Sequence, residues 1–168
     1  MKKIFTLLLV ALMAVGVYAN DYKHSIGLYG GLGIGVQYKT LLTDHFTIIA
    51  ETGVNLNLDD GTGVGIMGLP VADAVFAYQT KSLAQGKGIK FDIYAGGHVK
   101  MGYDIRNAGV FGFGAAAGFE ANMTNAPIAF SFDFRPGFGM LFDDGSGVGT
   151  YPMFDYSFNL GVRYTFPK

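Results

Sequence analysis

The sequence predicts an all-β protein, an eight-stranded antiparallel up-and-down β-barrel that spans a membrane and follows a cleavable signal peptide. The clearest observation is that residues 154–166 place an apolar or aromatic side chain at every second position, with polar residues or glycine between them. Successive side chains of a strand point to opposite faces. This stretch is therefore a strand with one apolar face, and it exceeds the roughly 9–11 residues that a tilted strand needs to cross a bilayer.

The composition supports the same fold class. Hydrophobic residues make up 50% of the chain, aromatic residues make up 15%, and glycine occurs 26 times. Beyond residue 19, however, no apolar run approaches the roughly 20 residues of a membrane-spanning helix. Apolar residues distributed by alternation are typical of membrane β-strands. Because the chain contains no cysteine, a disulfide framework is excluded.

The chain begins with a segment typical of a secretory signal peptide. Lys2 and Lys3 precede an apolar run over residues 4–16 and a cleavage sequence that ends at Ala19. The apolar run is too short for a transmembrane anchor, so we expect a signal peptide at residues 1–19 and one barrel domain at residues 20–168. Removing the two lysines from the 12 basic residues leaves 10 against 13 acidic ones, which argues against nucleic-acid binding.

Alternation and short turns delimit the strands in the first half of the chain. The first two strands meet at the glycine turn 30–32, and the third follows residues 42–44. Pro70 is tolerable in the fourth because it lies at the beginning of the strand. The predicted strands cover residues 25–29, 33–42, 46–56 and 69–79.

The second half of the chain contains four longer strands. A loop at residues 80–88 precedes the fifth strand, and the sixth carries glycines on its polar face, where they could leave room for bulky neighbours. In the seventh, phenylalanines alternate with serine, aspartate, arginine and glycine. These strands are predicted at residues 89–103, 110–121, 128–142 and 153–166.

The polar faces of the predicted strands carry nearly equal numbers of positive and negative side chains. Charges that are enclosed away from water must be paired, whereas the solvent face of a soluble sheet has no such requirement. The balance favours a barrel with lipid outside and ion pairs inside over a water-soluble β-sandwich. The predicted interior network consists of Lys39, Glu51, Asp73, Lys90, Asp92, His98, Lys100, Glu120, Asp133, Arg135, Asp155 and Arg163.

Bacterial barrels keep their short turns and both termini on the periplasmic side. The outer loops are then expected at residues 30–32, 57–68, 104–109 and 143–152, and an Asp-Asp-Gly motif occurs in two of them, at residues 59–61 and 143–145. Paired carboxylates beside glycines could hold Ca²⁺ or Mg²⁺. Such runs are also ordinary turn sequences, and their spacing fits no known calcium loop. We favour the turn interpretation and predict no metal.

Four segments of the chain resemble the small outer-membrane β-barrel proteins of Gram-negative bacteria that have an OmpA/OmpX-type architecture, namely residues 25–31, 35–39, 126–136 and 161–166. The resemblance implies an outer-membrane location and contact with outer-membrane lipid and lipopolysaccharide. It also implies insertion by the outer-membrane insertion machinery, with Tyr164 and Phe166 in the final aromatic strand as the signal. We expect no cofactor, no nucleic-acid partner and a monomer.

Three functions from different classes follow from this fold. A structural or surface role without catalysis fits best, because eight strands enclose an interior that side chains can just fill. The alternative is a narrow channel for ions or small solutes, which would need a wet path past the ion pairs. A further alternative is a lipid-modifying enzyme. Steady conductance in a planar bilayer would favour the channel over the structural barrel.

The enzyme alternative depends on the histidines and inward serines. His98 is expected to point into the interior beside Lys100 and Asp92, and Ser131 and Ser157 also face inward. A histidine held in a polar network is the preferred interpretation, because no serine is placed within its reach by the sequence. We therefore predict that the protein is not an enzyme.

Overall fold

The computed structural model describes residues 22–55, 57–59, 63–65, 71–81, 83–103, 109–142 and 151–167. The predicted signal peptide lies outside these residues. Within them, no helix is long and apolar enough to cross a membrane. The strands are β1 (Tyr22–Gly31), β2 (Gly33–Leu41), β3 (Phe46–Asn55), β4 (Asn57–Asp59), β5 (Gly63–Gly65), β6 (Val71–Gln79), β7 (Ala84–Gly86), β8 (Ile89–Tyr103), β9 (Gly109–Met123), β10 (Ile128–Phe142) and β11 (Tyr151–Pro167).

Eight of these strands form one closed antiparallel sheet. They lie in the order β6, β3, β2, β1, β11, β10, β9 and β8, and the pairing of β6 with β8 closes the ring. The predicted all-β fold, an eight-stranded up-and-down barrel, is confirmed. We call the end at which β2 joins β3 and β9 joins β10 the turn side, and the opposite end the loop side.

The three remaining strands are short, and alternation did not predict them. β4 and β5 form a separate hairpin in the segment expected as the second outer loop. β7 pairs with the beginning of β8 in the segment 80–88, which was expected to be a loop. The turn between them contains Gly88, whose φ of 85° favours glycine. Strands of three residues are too short to give a period-two signal.

The first strand begins earlier than predicted. β1 starts at Tyr22, three positions before residue 25, and its register with β11 shifts between Tyr22 and His24. Because a β-bulge changes which side chains face inward, Tyr22 lies inside the barrel and is only 8% exposed. Simple alternation cannot extend through such a shift.

The polarity of the barrel is inverted relative to that of a water-soluble domain. The largest fully buried side chains include Arg135, Arg163 and Lys39. In contrast, 27 large hydrophobic side chains of the described residues are exposed. Ordinary soluble domains bury such residues and leave arginine and lysine outside. The wall of this barrel therefore separates an apolar exterior from a charged interior.

Glycines in the wall make room for large inward side chains. A Cβ atom at Gly118 would lie 2.7 Å from Tyr94 Cζ, and one at Gly114 would lie 2.9 Å from His98 Nε2. Either atom would push a ring out of place and would lie even closer to a backbone carbonyl oxygen of β10, which well-packed interiors tolerate poorly. The space beside these two glycines is thus occupied by the side chains of β8, as their position on the polar face suggested.

Candidate functional site: the polar interior

Arg135 is the centre of an ionic cluster in the barrel, the Arg135 cluster. Its guanidinium donates two hydrogen bonds of 2.7 Å to Glu51, two of 2.8 and 3.1 Å to Asp133, and one of 3.2 Å to Asp73. These bonds use all five guanidinium N–H donors. Glu51 and Asp73 lie directly opposite each other on β3 and β6, so Arg135 holds together two carboxylates that would otherwise repel each other.

Two side chains of β8 extend this cluster. The Tyr94 hydroxyl donates a hydrogen bond of 2.8 Å to Asp133, and His98 Nδ1 lies 3.4 Å from Asp73 Oδ2. The expected position of His98 beside Asp92 is wrong. Asp92 lies six residues earlier on β8, which is about 20 Å along a strand. The carboxylate that faces His98 comes from β6, because strands β6 and β8 close the ring.

Glu120 is the centre of a second cluster, nearer the turn side, which we call the Glu120 cluster. It accepts hydrogen bonds from Lys39 Nζ at 2.8 Å, from Arg163 Nη2 and from the Tyr22 hydroxyl. Arg163 Nη1 also donates a bond of 2.8 Å to Gln37 Oε1. The Lys39 and Glu120 side chains are both 0% exposed. One carboxylate balances two cations here, the reverse of the Arg135 cluster.

Asp92 belongs to the turn-side part of the interior. It lies opposite Glu120 on the neighbouring strand β9. Gln79 Nε2 and Asn122 Nδ2 donate hydrogen bonds of 3.3 and 3.0 Å to the same oxygen of Asp92. Amide donors from β6 and β9 thus hold this carboxylate in place.

The other predicted network residues are Lys90, Lys100 and Asp155. Lys100 is buried, and its register partner on β6 is Asp73. Lys90 is half-buried near the turn-side beginning of β8. Asp155 pairs through its backbone with Gly137, but its side chain lies outside the described residues.

The charges of the predicted network are nearly balanced in sign. With Asp155 left out, the network has five cations and five carboxylates, and the clusters join residues far apart in sequence. Enclosed charges of opposite sign stabilise each other only when they are closely paired. The cations are Lys39, Lys90, Lys100, Arg135 and Arg163, and the carboxylates are Glu51, Asp73, Asp92, Glu120 and Asp133.

An apolar layer lies between the two clusters along β3, β6, β8 and β9. Ile49, Val75, Ala77 and Ala116 are buried there against the ring of Tyr94. Tyr94 also connects the clusters, because its hydroxyl binds Asp133 while its ring centroid lies 5.5 Å from Lys39 Nζ. Along these four strands, the apolar layer separates the two ionic clusters.

Sequence reasoning missed three residues that complete the network. Gln37 and Tyr94 lie on polar faces of the predicted strands, but they are uncharged and were therefore not predicted as members of an ion-pair network. Tyr22 was outside the predicted first strand, and only the register shift of β1 places it against Glu120. Ile49 and Val75 are apolar residues at inward positions of otherwise polar faces. This departure from alternation is the feature of the sequence from which the apolar layer could have been predicted.

The predicted insertion signal lies on the outer face of β11. The rings of Tyr164 and Phe166 make an edge-to-face contact with centroids 5.2 Å apart. Phe166 is 43% exposed and pairs through its backbone with His24 of β1. The last strand therefore presents aromatic side chains outward at the turn side.

Ser131, one of the two inward serines considered above, does not lie beside His98. Ser131 lies opposite Glu120, and His98 lies opposite Gly114. These partners are six residues apart on β9, or about 20 Å along the strand. Ser131 is therefore out of reach of His98.

Among the residues that the structure describes, no group of three or more His, Cys, Asp or Glu side chains is arranged to hold a metal ion. The Asp-Asp-Gly repeats lie mostly outside those residues. Comparisons with protein-family models, with curated proteins and with solved structures found no match, so the function is inferred from the geometry of the barrel.

Proposed function

We propose that this chain is an integral outer-membrane β-barrel protein of a Gram-negative bacterium, exported by a signal peptide at residues 1–19. In this proposal the barrel is a monomer with a structural or surface role and a closed, salt-bridged interior, and it performs no catalysis. The observation that supports it best is the inverted polarity of the barrel. Its resemblance to small OmpA/OmpX-type barrels is consistent with the same location.

The exposed wall supports a lipid environment. Of the 27 exposed hydrophobic side chains, 25 are distributed over the eight barrel strands, whereas soluble monomers rarely expose apolar patches of more than a few hundred Å². A closed barrel also pairs the backbone groups of every strand, which a hydrocarbon environment requires. Lipid is the solvent in which this arrangement is stable.

The filled interior supports a closed barrel rather than a channel. Arg135, Arg163 and Lys39 extend inward, and each ends on a carboxylate. Eight strands enclose a space that side chains can just fill, and the apolar layer around Tyr94 occupies part of that space. The ionic clusters thus act as a stabilising core in this proposal, in the place that an apolar core has in a soluble protein.

The proposed partners follow from the membrane location. The outer wall would contact outer-membrane lipid and lipopolysaccharide, and the insertion machinery would bind the final strand, in which Tyr164 and Phe166 point outward. No nucleic acid or cofactor has a part in the proposal.

Expression of the full chain in a Gram-negative host tests the proposal. We expect a mature protein beginning at Asn20, recovered with the outer membrane and resistant to alkaline carbonate extraction. Its mobility in unheated gels should differ from that after boiling, as it does for folded membrane barrels. A soluble periplasmic product with an intact barrel would contradict the membrane assignment. Retention of residues 1–19 would contradict the signal peptide alone.

A further inference from the structure

The turn-side rim of the barrel carries an excess of positive charge. Among the described residues at this end, Lys23, Lys81 and Lys87 are exposed, and the exposed acid is Asp44. Lys81 Nζ lies 2.8 Å from Asp44 Oδ1. We call the three lysines the basic rim. Their charge exceeds that of the neighbouring acid.

The opposite end has the reverse bias in its sequence. The segments that connect strands on the loop side contain Asp59, Asp60, Asp104, Asp143 and Asp144 against one arginine, Arg106. Counted in the same way, the sequence next to the turn-side ends of β1 and β11 adds Asp21 and Lys168, which cancel. The two ends of the barrel therefore differ in the sign of their charge. A molecule with this asymmetry is oriented by any surface that carries one sign of charge.

The lysines of the basic rim lie on two sides of the barrel rather than in a single site. Lys23 lies on β1, and the other two lysines lie in the connection from β6 to β8. In the ring of eight strands, β1 is three strands from β6 and four from β8, so these positions lie on nearly opposite sides. Their arrangement fits a ring of many small anions rather than one bound ligand.

Polar aromatic groups at the same end indicate the depth at which the rim lies. The Tyr38 hydroxyl lies 2.7 Å from His24 Nδ1, and the His45 ring stacks on Tyr78 with centroids 5.2 Å apart. Tyr38 and Tyr78 are 41% and 50% exposed on the outer wall. Rings with an apolar body and a polar end favour the level of lipid headgroups.

We propose that the basic rim binds the phosphate headgroups of anionic phospholipids in the leaflet on the turn side. This inference rests on the proposed membrane function and adds a lipid class and a leaflet to it. Lysine ammonium groups at headgroup depth attract anionic lipid, and the attraction falls when salt screens the charges. The connecting segments of the loop side are acidic in sequence and would not attract anionic lipid of the opposite leaflet.

Electron spin resonance of labelled lipids tests this inference. The full-length protein is reconstituted in dioleoylphosphatidylcholine vesicles with spin-labelled phosphatidylglycerol or spin-labelled phosphatidylcholine. We expect the lipid immobilised on the barrel wall to show a preference of roughly threefold for phosphatidylglycerol over phosphatidylcholine at low salt. This preference should disappear in about 0.5 M NaCl, because the screening length is then only a few ångströms.

Variants separate the basic rim from the other charges of the protein. In K23Q/K81Q/K87Q the ratio of immobilised phosphatidylglycerol to immobilised phosphatidylcholine should fall to about one. The matched variant K23R/K81R/K87R should keep the wild-type ratio, because the charge is retained. D44N should increase it. An unchanged preference in the glutamine variant, or none in the wild type despite immobilised lipid, would overturn the inference alone. No immobilised lipid with either label would overturn the membrane function as well.

Discussion

Replacing Arg135 with methionine should lower the free energy of unfolding by about 3–5 kcal/mol, because three carboxylates would then be enclosed without the cation that holds them. Arg135 donates to Glu51, Asp133 and Asp73 through all five of its N–H groups. Methionine replaces the apolar stem of the arginine side chain but not its guanidinium. Urea unfolding of the barrel in phosphatidylcholine vesicles measures the change.

The exposed ion pair of the turn side is a matched control for Arg135→Met. Lys81 and Asp44 are separated by 2.8 Å, a distance comparable to those of the interior, but the Lys81 side chain is 42% exposed. Lys81→Met should therefore cost no more than about 1 kcal/mol. A second variant, Arg135→Met with Glu51→Gln, should recover part of the lost stability by removing one unpaired charge. Equal effects of Arg135→Met and Lys81→Met would contradict an ion-paired core.

Replacing Glu120 with glutamine should also destabilise the barrel by about 3–5 kcal/mol. Glutamine keeps the shape of the side chain but removes the charge that Lys39 and Arg163 share. Asp92, opposite on β8, is already held by two amide donors and cannot replace both contacts. The same unfolding measurement in vesicles detects the loss.

Removing one of the two cations tests whether charge is the cause. In Glu120→Gln with Lys39→Met, only Arg163 remains without its carboxylate, so the double variant should be more stable than the sum of the two single effects. Strict additivity would show that Lys39 and Glu120 do not stabilise each other and that the Glu120 cluster was assigned the wrong role.

The strands of the barrel wall could be predicted from the sequence because side chains that alternate between two faces give an alternation of apolar and polar residues along the whole strand. In β10 and β11, aromatic residues alternate with polar ones over 15 and 17 residues, so both the strands and their two faces were predictable. The bulge at Tyr22 was not, because it reverses the alternation within two residues. The short β7 was too brief to produce a pattern at all.

The partners within the interior were less predictable than its composition. Alternation placed Lys39 and Glu120 on inward faces, but their contact joins β2 to β9, which are separated by several strands around the ring. Such a contact depends on the height of each residue along the barrel axis. That height follows from the stagger between strands when the sheet closes. The stagger cannot be deduced from residue spacing alone. The contact of His98 with Asp73 has the same cause, whereas the distance of His98 from Asp92 follows from their spacing along β8.

The measurement that tests the central claim most directly is single-channel conductance of the refolded protein in a planar bilayer, with insertion confirmed by the gel-mobility shift on heating. A barrel whose interior is filled by the Arg135 cluster, the Tyr94 layer and the Glu120 cluster should leave the bilayer as silent as a protein-free one. Steady, discrete current steps from the inserted barrel would contradict the closed interior and favour the channel.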